Sequence, residues 1–212
     1  MTLAVQVLVL AKAPVPGRVK TRLCPPLTPE GAAQVAAAAL EDTLDAVRAV
    51  DVARRVLVVD GALRADGFAR QPQTTGPLDA RLGHAFDVAA ARGLPALLVG
   101  MDTPQLTPAV LEDACRALLS ADAVLGLAED GGWWALGLQR PDGVLLRGVE
   151  TSRDDTGRVQ RRRLDAAGLD THDLPVLRDV DTAADARAVA EEAPHGRFAA
   201  TLGALLGVAA RT

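Results

Sequence analysis

Apolar positions along the chain follow two rhythms. Short apolar runs at residues 3–10, 55–59, 96–99, 123–127 and 134–138 lack strict alternation, the pattern of strands covered on both faces. Between them lie stretches with helical spacing, at residues 28–50, 79–91, 108–119, 156–167 and 183–192. The first of these opens with Thr28 as cap, Pro29 at the first helical position and Glu30 in the first turn. Thr107-Pro108 and Thr182 mark two further helix starts. A short strand at residues 175–177 precedes the last helix. Strand–helix alternation predicts one α/β domain over residues 1–212, with a mainly parallel sheet covered by helices on both faces. Ligands of such sheets bind beyond the carboxyl ends of the strands, so the loops there are the ones to read.

Charge narrows the partners. Lys and Arg number 23 against 27 Asp and Glu, a net charge of −4, which argues against nucleic acid or an anionic membrane as the partner. The first apolar run reads as a strand and not a signal peptide: no basic residue precedes it, Gln6 interrupts it, and Lys12 sits in the only small-residue cleavage-like stretch. No run approaches the ~20 apolar residues of a membrane helix, and a chain with only two cysteines is expected in a reducing cytoplasm. Two cysteines, Cys24 and Cys115, make neither a disulfide framework nor a four-ligand zinc site. The chain has no Ile, Asn or Tyr and only two Lys, the mark of a GC-rich coding sequence. Against that background both lysines fall in one loop, Met101 directly precedes Asp102, and the two tryptophans are adjacent.

That loop, residues 11–27, carries Lys12, Arg18, Lys20 and Arg22, four prolines, Gly17 and no acid. An excess of cations on stiff backbone after a strand suits a polyphosphate. It is neither a Walker A loop nor GxGxxG, so standard NTPase and dinucleotide readings lose their main support. After the third strand, GMDTPQL presents Gly100, where a backbone comes close to a ligand, and Asp102, a candidate Mg²⁺ ligand with no capping task of its own. Asp130-Gly131-Gly132 turns into a strand bearing Trp133 and Trp134, whose side chains point to opposite faces, one to a pocket and one to the core. Asp179 and Asp181 alternate; one is expected to complete a metal site with Asp102, with Asp181 preferred, and the other to cap the next helix with Thr182. His84, His172 and His195 are scattered and form no catalytic pair; Arg161–Arg163 read as a solvated helix face.

The order AKxPxxGxVKTRL, GxDxPxL, DGGWW and DVDT resembles bacterial GT-A-type nucleotide-diphospho-sugar transferases. More narrowly it resembles the radical-SAM/selenodomain-associated transferases, which are named as glycosyltransferases and are related to 2-phospholactate guanylyltransferase. The resemblance runs from about residue 3 to residue 192. It implies a single Rossmann-like GT-A domain with one divalent cation, Mg²⁺ or Mn²⁺, on Asp102 and on Asp181 or Asp179. It also implies nucleotide phosphates on Lys20 and Arg22, with Lys12 and Arg18 assisting, and an acceptor site bordered by Asp130, Gly131, Gly132 and Trp133. The family's DGGY tyrosine is Trp133 here, and its Trp-Ser-Thr reads Glu150-Thr151-Ser152, departures that bear on the acceptor side.

Two reactions share this scaffold. Nucleotidyl transfer expels pyrophosphate from an NTP, and glycosyl transfer expels NDP from an NDP-sugar. Four loop cations suit the heavier phosphate load, which favours nucleotidyl transfer to a small phosphorylated acceptor that needs no general base. Glycosyl transfer is the alternative, and a non-catalytic nucleotide-binding accessory protein is the second.

Overall fold

A computed structural model of the chain describes residues 1–207. Its centre is a seven-stranded sheet: β1 (Leu3–Lys12), β2 (Val52–Asp60), β3 (Ala69–Pro72), β4 (Ala96–Gly100), β5 (Ala123–Ala128), β6 (Trp133–Leu138) and β7 (Thr171–Leu177). The strands lie in the order β3-β2-β1-β4-β6-β5-β7. All neighbours are parallel except β6, which runs antiparallel to both β4 and β5.

The described residues form six helices: α1 (Pro29–Ala49), α2 (Leu78–Ala90), α3 (Pro108–Leu118), α4 (Thr156–Ala166), α5 (Ala183–Glu192) and α6 (Arg197–Leu206). One apolar layer joins Val5, Val7 and Val9 of β1 to α1 and α3; the opposite layer joins Leu8, Val56 and Leu98 to Phe86 of α2 and Leu164 of α4. Helix α1 is rich in alanine because it is buried on two sides. Ala33, Ala36, Leu40 and Leu44 face the sheet, while Ala32, Val35 and Ala39 meet Val189 of α5 and Phe198 and Leu202 of α6.

The expected single α/β domain is present, and the expected caps form. Thr28, Thr107 and Thr182 accept from the backbone N–H groups of Gly31, Val110 and Asp185. Four features differ from the sequence expectation. Strand β3 lacks an apolar run and forms only because β2 offers it an edge, with Val56 opposite Ala69. Strand β7 begins at Thr171, well before the expected start; as an edge strand it needs only Leu174 buried. Helix α6 falls where no element is expected, and Asp42 of α1 caps it by accepting from the N–H groups of Arg197 and Phe198 at 3.0 and 2.8 Å. Strand β6 reverses direction because only four residues, 129–132, separate it from β5, too few for a parallel crossover.

Gln6, which breaks the first apolar run, is fully buried and donates to the carbonyls of Ala89 and Leu94 at 2.9 and 3.0 Å, tying β1 to the end of α2. Among the described residues no helix is long and apolar enough to cross a membrane.

The register brings the chemistry-bearing loops to one edge. Leu10 pairs with both Val58 and Gly100, and Lys12 pairs with Asp60, so β1, β2 and β4 end together. Ala128 at the end of β5 pairs with Leu177 at the end of β7, and Trp133 starts β6 opposite Leu127. The segments after β1, β4, β5 and β7 therefore meet at the carboxyl edge.

Candidate active site

Lys20 stands in the left-handed backbone region, at φ 47°, immediately before a short 3₁₀ turn (Thr21–Leu23). That geometry sends its side chain inward, where it is only 9% exposed. Its ammonium lies 2.8 Å from the Asp102 carboxylate and 3.5 Å from that of Asp181, and it donates to the Val180 carbonyl. Burial works against the charge, but the carboxylates of Asp102, Asp181 and Asp179 outweigh it and raise the pKa above the ordinary lysine value. The backbone reinforces this junction. The N–H of Val180 donates to the Asp102 carbonyl at 2.9 Å, and the Gln105 amide donates to the Arg178 carbonyl at 2.6 Å.

The stretch 178–181 is not extended strand, since β7 stops at Leu177. Asp179 and Asp181 therefore do not diverge as alternation predicts. Each offers a carboxylate oxygen to a group completed by Asp130, with the three oxygens within 4.8 Å of one another. Neither caps α5; Thr182 and Asp185 form a reciprocal capping box there instead. Burial pushes the Asp179 carboxyl up to about 6, and the like charges of Asp130 and Asp181 add to that. Asp102 is not in this group; it belongs to Lys20. Three converging carboxylates, of which only Asp181 has cationic partners, in Lys20 and Arg22, are a hard oxygen donor set of the kind Mg²⁺ or Mn²⁺ accepts.

Two adjoining clefts open on this junction. The first, about 460 Å³, is lined by Lys12, Arg18, Lys20, Arg22, Met101 and Ala36, among others. The second, about 420 Å³, has Leu10, Leu78, Leu82 and Trp133 along its apolar side and Asp130, Asp154 and Asp179 along its polar side. Arg22, Asp102, Ser152 and Asp181 line both. Among the described residues Lys12 and Arg18 enter no ion pair, and Arg22 reaches Asp181 at 3.1 Å while staying 72% exposed. Gly100, Gly132 and Trp133 line the second cleft; Gly17 and Gly131 line neither. Trp134 is core, as one of the pair was expected to be, and its indole N–H donates to the Pro175 carbonyl at 2.9 Å. None of the three histidines lines either cleft.

The wall over the second cleft, residues 150–155, is what sequence reasoning missed. It contributes Thr151, Ser152, Arg153 and Asp154. Buried Thr156 staples it, accepting from the Arg153 N–H at 3.2 Å and donating to the Glu150 carbonyl at 3.0 Å. The wall rests on the Asp130-Gly131-Gly132 turn. Gly131 has φ +89°, and a Cβ there would collide with the Asp154 carbonyl. Asp79 and Asp87 of α2 hold the preceding stretch by accepting from the N–H groups of Gly148 and Gly143. The only sequence signal was the aligned Glu150-Thr151-Ser152.

A family model described as "Uncharacterized protein conserved in bacteria (DUF2064)" matches residues 33–153. The chain belongs to this family. No curated protein matches it significantly. Among solved structures, a "putative nucleotide-diphospho-sugar transferase" from Desulfovibrio desulfuricans G20 superposes with a TM-score of 0.88 at 22% identity, over 98% of this chain and 97% of the other. The manganese complex of Rv0371C from Mycobacterium tuberculosis H37Rv gives 0.56 at 21% identity, over 88% and 98%. The 2-C-methyl-D-erythritol 4-phosphate cytidylyltransferase of Thermus thermophilus gives 0.53 at 17%, over 89% and 98%. At these identities the likeness establishes the shared fold.

Proposed function

We propose that the chain transfers a nucleotidyl group from a nucleoside triphosphate to a small acceptor, releasing pyrophosphate, with Mg²⁺ or Mn²⁺ as cofactor. The carrying observation is the pair of clefts of opposite character sharing Asp102, Asp181, Arg22 and Ser152. A triphosphate suits the first cleft, where Lys12 and Arg18 have no carboxylate to satisfy and Arg22 is largely in solvent. The basic loop and the Asp179–Thr182 stretch, which carry the resemblance to 2-phospholactate guanylyltransferase, border the same junction. The cytidylyltransferase and the manganese-bound protein share the fold, which supports both halves of the reading.

A divalent cation held by Asp130, Asp179 and Asp181 would supply positive charge for phosphate oxygens at the boundary between the clefts. The chain's own groups do the rest. Lys12 and Arg18 hold the outer phosphates and take up the charge that develops on the leaving pyrophosphate. Lys20 keeps Asp102 and Asp181 in place before substrate arrives, so the site needs little reorganisation. Trp133 and the 150–155 wall bound the acceptor and exclude water from it.

Glycosyl transfer from an NDP-sugar is the second reading, favoured by the name of the D. desulfuricans protein and its TM-score of 0.88. Incubation with each NTP and a set of NDP-sugars plus Mn²⁺ separates the two. Pyrophosphate release supports nucleotidyl transfer, NDP release supports glycosyl transfer, and binding without turnover leaves a non-catalytic nucleotide-binding protein.

A further inference from the structure

The two clefts differ in what they can neutralise. The second is lined by five acidic residues, Asp102, Asp130, Asp154, Asp179 and Asp181, against two arginines. Both of those are already engaged, Arg22 with Asp181 at 3.1 Å and Arg153 with Glu150 at 3.0 Å and Asp155 at 3.4 Å. Even with one divalent cation on the acidic group, a phosphorylated or carboxylated acceptor would enter a field of its own sign. Hydroxyl groups, in contrast, find acceptors on every polar wall. The indole of Trp133, with Leu10, Leu78 and Leu82 beside it, offers a flat apolar surface to the C–H face of a ring. Asp154 is set apart among these acids: it lies outside the Asp130–Asp179–Asp181 group, and among the described residues its carboxylate has neither an ion pair nor a hydrogen-bond partner.

We infer that the second cleft takes an uncharged polyhydroxylated ring, such as a hexose or a cyclitol, stacked on Trp133, and that Asp154 is the base for its attacking hydroxyl. This replaces the phosphorylated acceptor expected from the sequence and rests on the nucleotidyl-transfer reading above. The hydroxyl oxygen bonds to the α-phosphorus. The bond from that phosphorus to the oxygen bridging to the β-phosphorus breaks, and pyrophosphate leaves with the electron pair. The hydroxyl proton passes to Asp154 and from there to water.

The test has two readouts. Calorimetry with each NTP and Mn²⁺ reads nucleotide binding alone. Acceptor-dependent pyrophosphate release is then measured with glucose, mannose and myo-inositol, and with the anionic glucose 1-phosphate, glucose 6-phosphate and gluconate. At least one neutral polyol is expected to raise the rate 10-fold or more over buffer and over its charged counterparts. Asp154→Asn should lower kcat about 100-fold, the contribution of a general base, while NTP affinity and polyol KM stay within about threefold. Trp133→Leu should raise KM about 10-fold with kcat largely kept. A charged probe turned over as well as the neutral ones, nucleotide binding with no neutral polyol accepted, or an unchanged kcat in Asp154→Asn would each overturn the inference. Absence of nucleotide binding would overturn the transfer reading and this inference with it.

Discussion

The Lys20 ammonium sits 2.8 Å from the Asp102 carboxylate and 3.5 Å from that of Asp181, at the partition between a basic cleft and an acidic one. A lysine expected on phosphate thus holds together the carboxylates that divide the site. Replacing it by Met leaves Asp102 without a cation and Asp181 with only the exposed Arg22, so the repulsion among Asp102, Asp179 and Asp181 is less compensated. Because both bonded carboxylates are part-exposed, the loss is about 1–3 kcal/mol, below that of a fully buried pair. Urea unfolding at pH 7 reads it directly. Lys20→Arg should not restore stability, since a planar fork does not fit a site shaped for a compact ammonium. With its folded pKa raised, Lys20 contributes fully below the ordinary lysine range, and the difference between wild type and Lys20→Met should vanish only as pH rises through that raised value.

The acidic group predicts a cation effect on stability. Mn²⁺ at about 100 times its dissociation constant adds about 2.7 kcal/mol, a rise in Tm of several degrees for a chain of this size. Asp179→Asn with Asp181→Asn should abolish the shift in a thermal-melt titration. Asp102→Asn, outside the group, should keep most of it.

Cys115 predicts an alkaline limit. It is fully buried on the inner face of α3, and burial, with Glu112 adding its charge, pushes the thiol up to about 12 from an ordinary value of 9.0. Between those values the unfolded chain loses the proton and the folded chain keeps it, so this group takes stability away as pH rises above about 9. Cys115→Ala should flatten the alkaline limb of a stability–pH curve. A thiol reagent at pH 8 should leave Cys115 unmodified until denaturant is added.

Gly131→Ala tests the contact between the turn and the wall. The substitution needs a left-handed alanine and drives its Cβ into the Asp154 carbonyl. Strain and displacement together should cost about 1–3 kcal/mol and raise acceptor KM more than nucleotide Kd. Equal effects on both constants would show that the wall serves both clefts alike.

The fold was readable where one physical signal dominated. Buried parallel strands announce themselves as apolar runs, and Thr28-Pro29 and Thr107-Pro108 announce helix starts, because cap geometry and a missing N–H are local properties. Strand β3 and helix α6 were not readable, because each depends on a distant partner: the β2 edge in one case, Asp42 in the other. The same divide runs through the site. The four motifs carried the candidate residues to one edge, but which carboxylates converge depends on where β7 ends. An extended backbone would turn Asp179 and Asp181 apart, whereas the strand stops at Leu177 and both join the group with Asp130. Of the 150–155 wall only Glu150-Thr151-Ser152 is marked in the sequence; Thr156 and Gly131 fix its place by contacts that only the folded chain makes.

The most direct measurement is calorimetric titration of an NTP with Mn²⁺ into wild type, Arg18→Glu and Asp181→Asn. A nucleotide seated on the basic cleft against a cation on the acidic group predicts micromolar-range binding in wild type, weakened at least 10-fold by either substitution, with the Mn²⁺ requirement lost in Asp181→Asn. Binding that is unaffected by both substitutions, or that does not depend on Mn²⁺ in wild type, would contradict it.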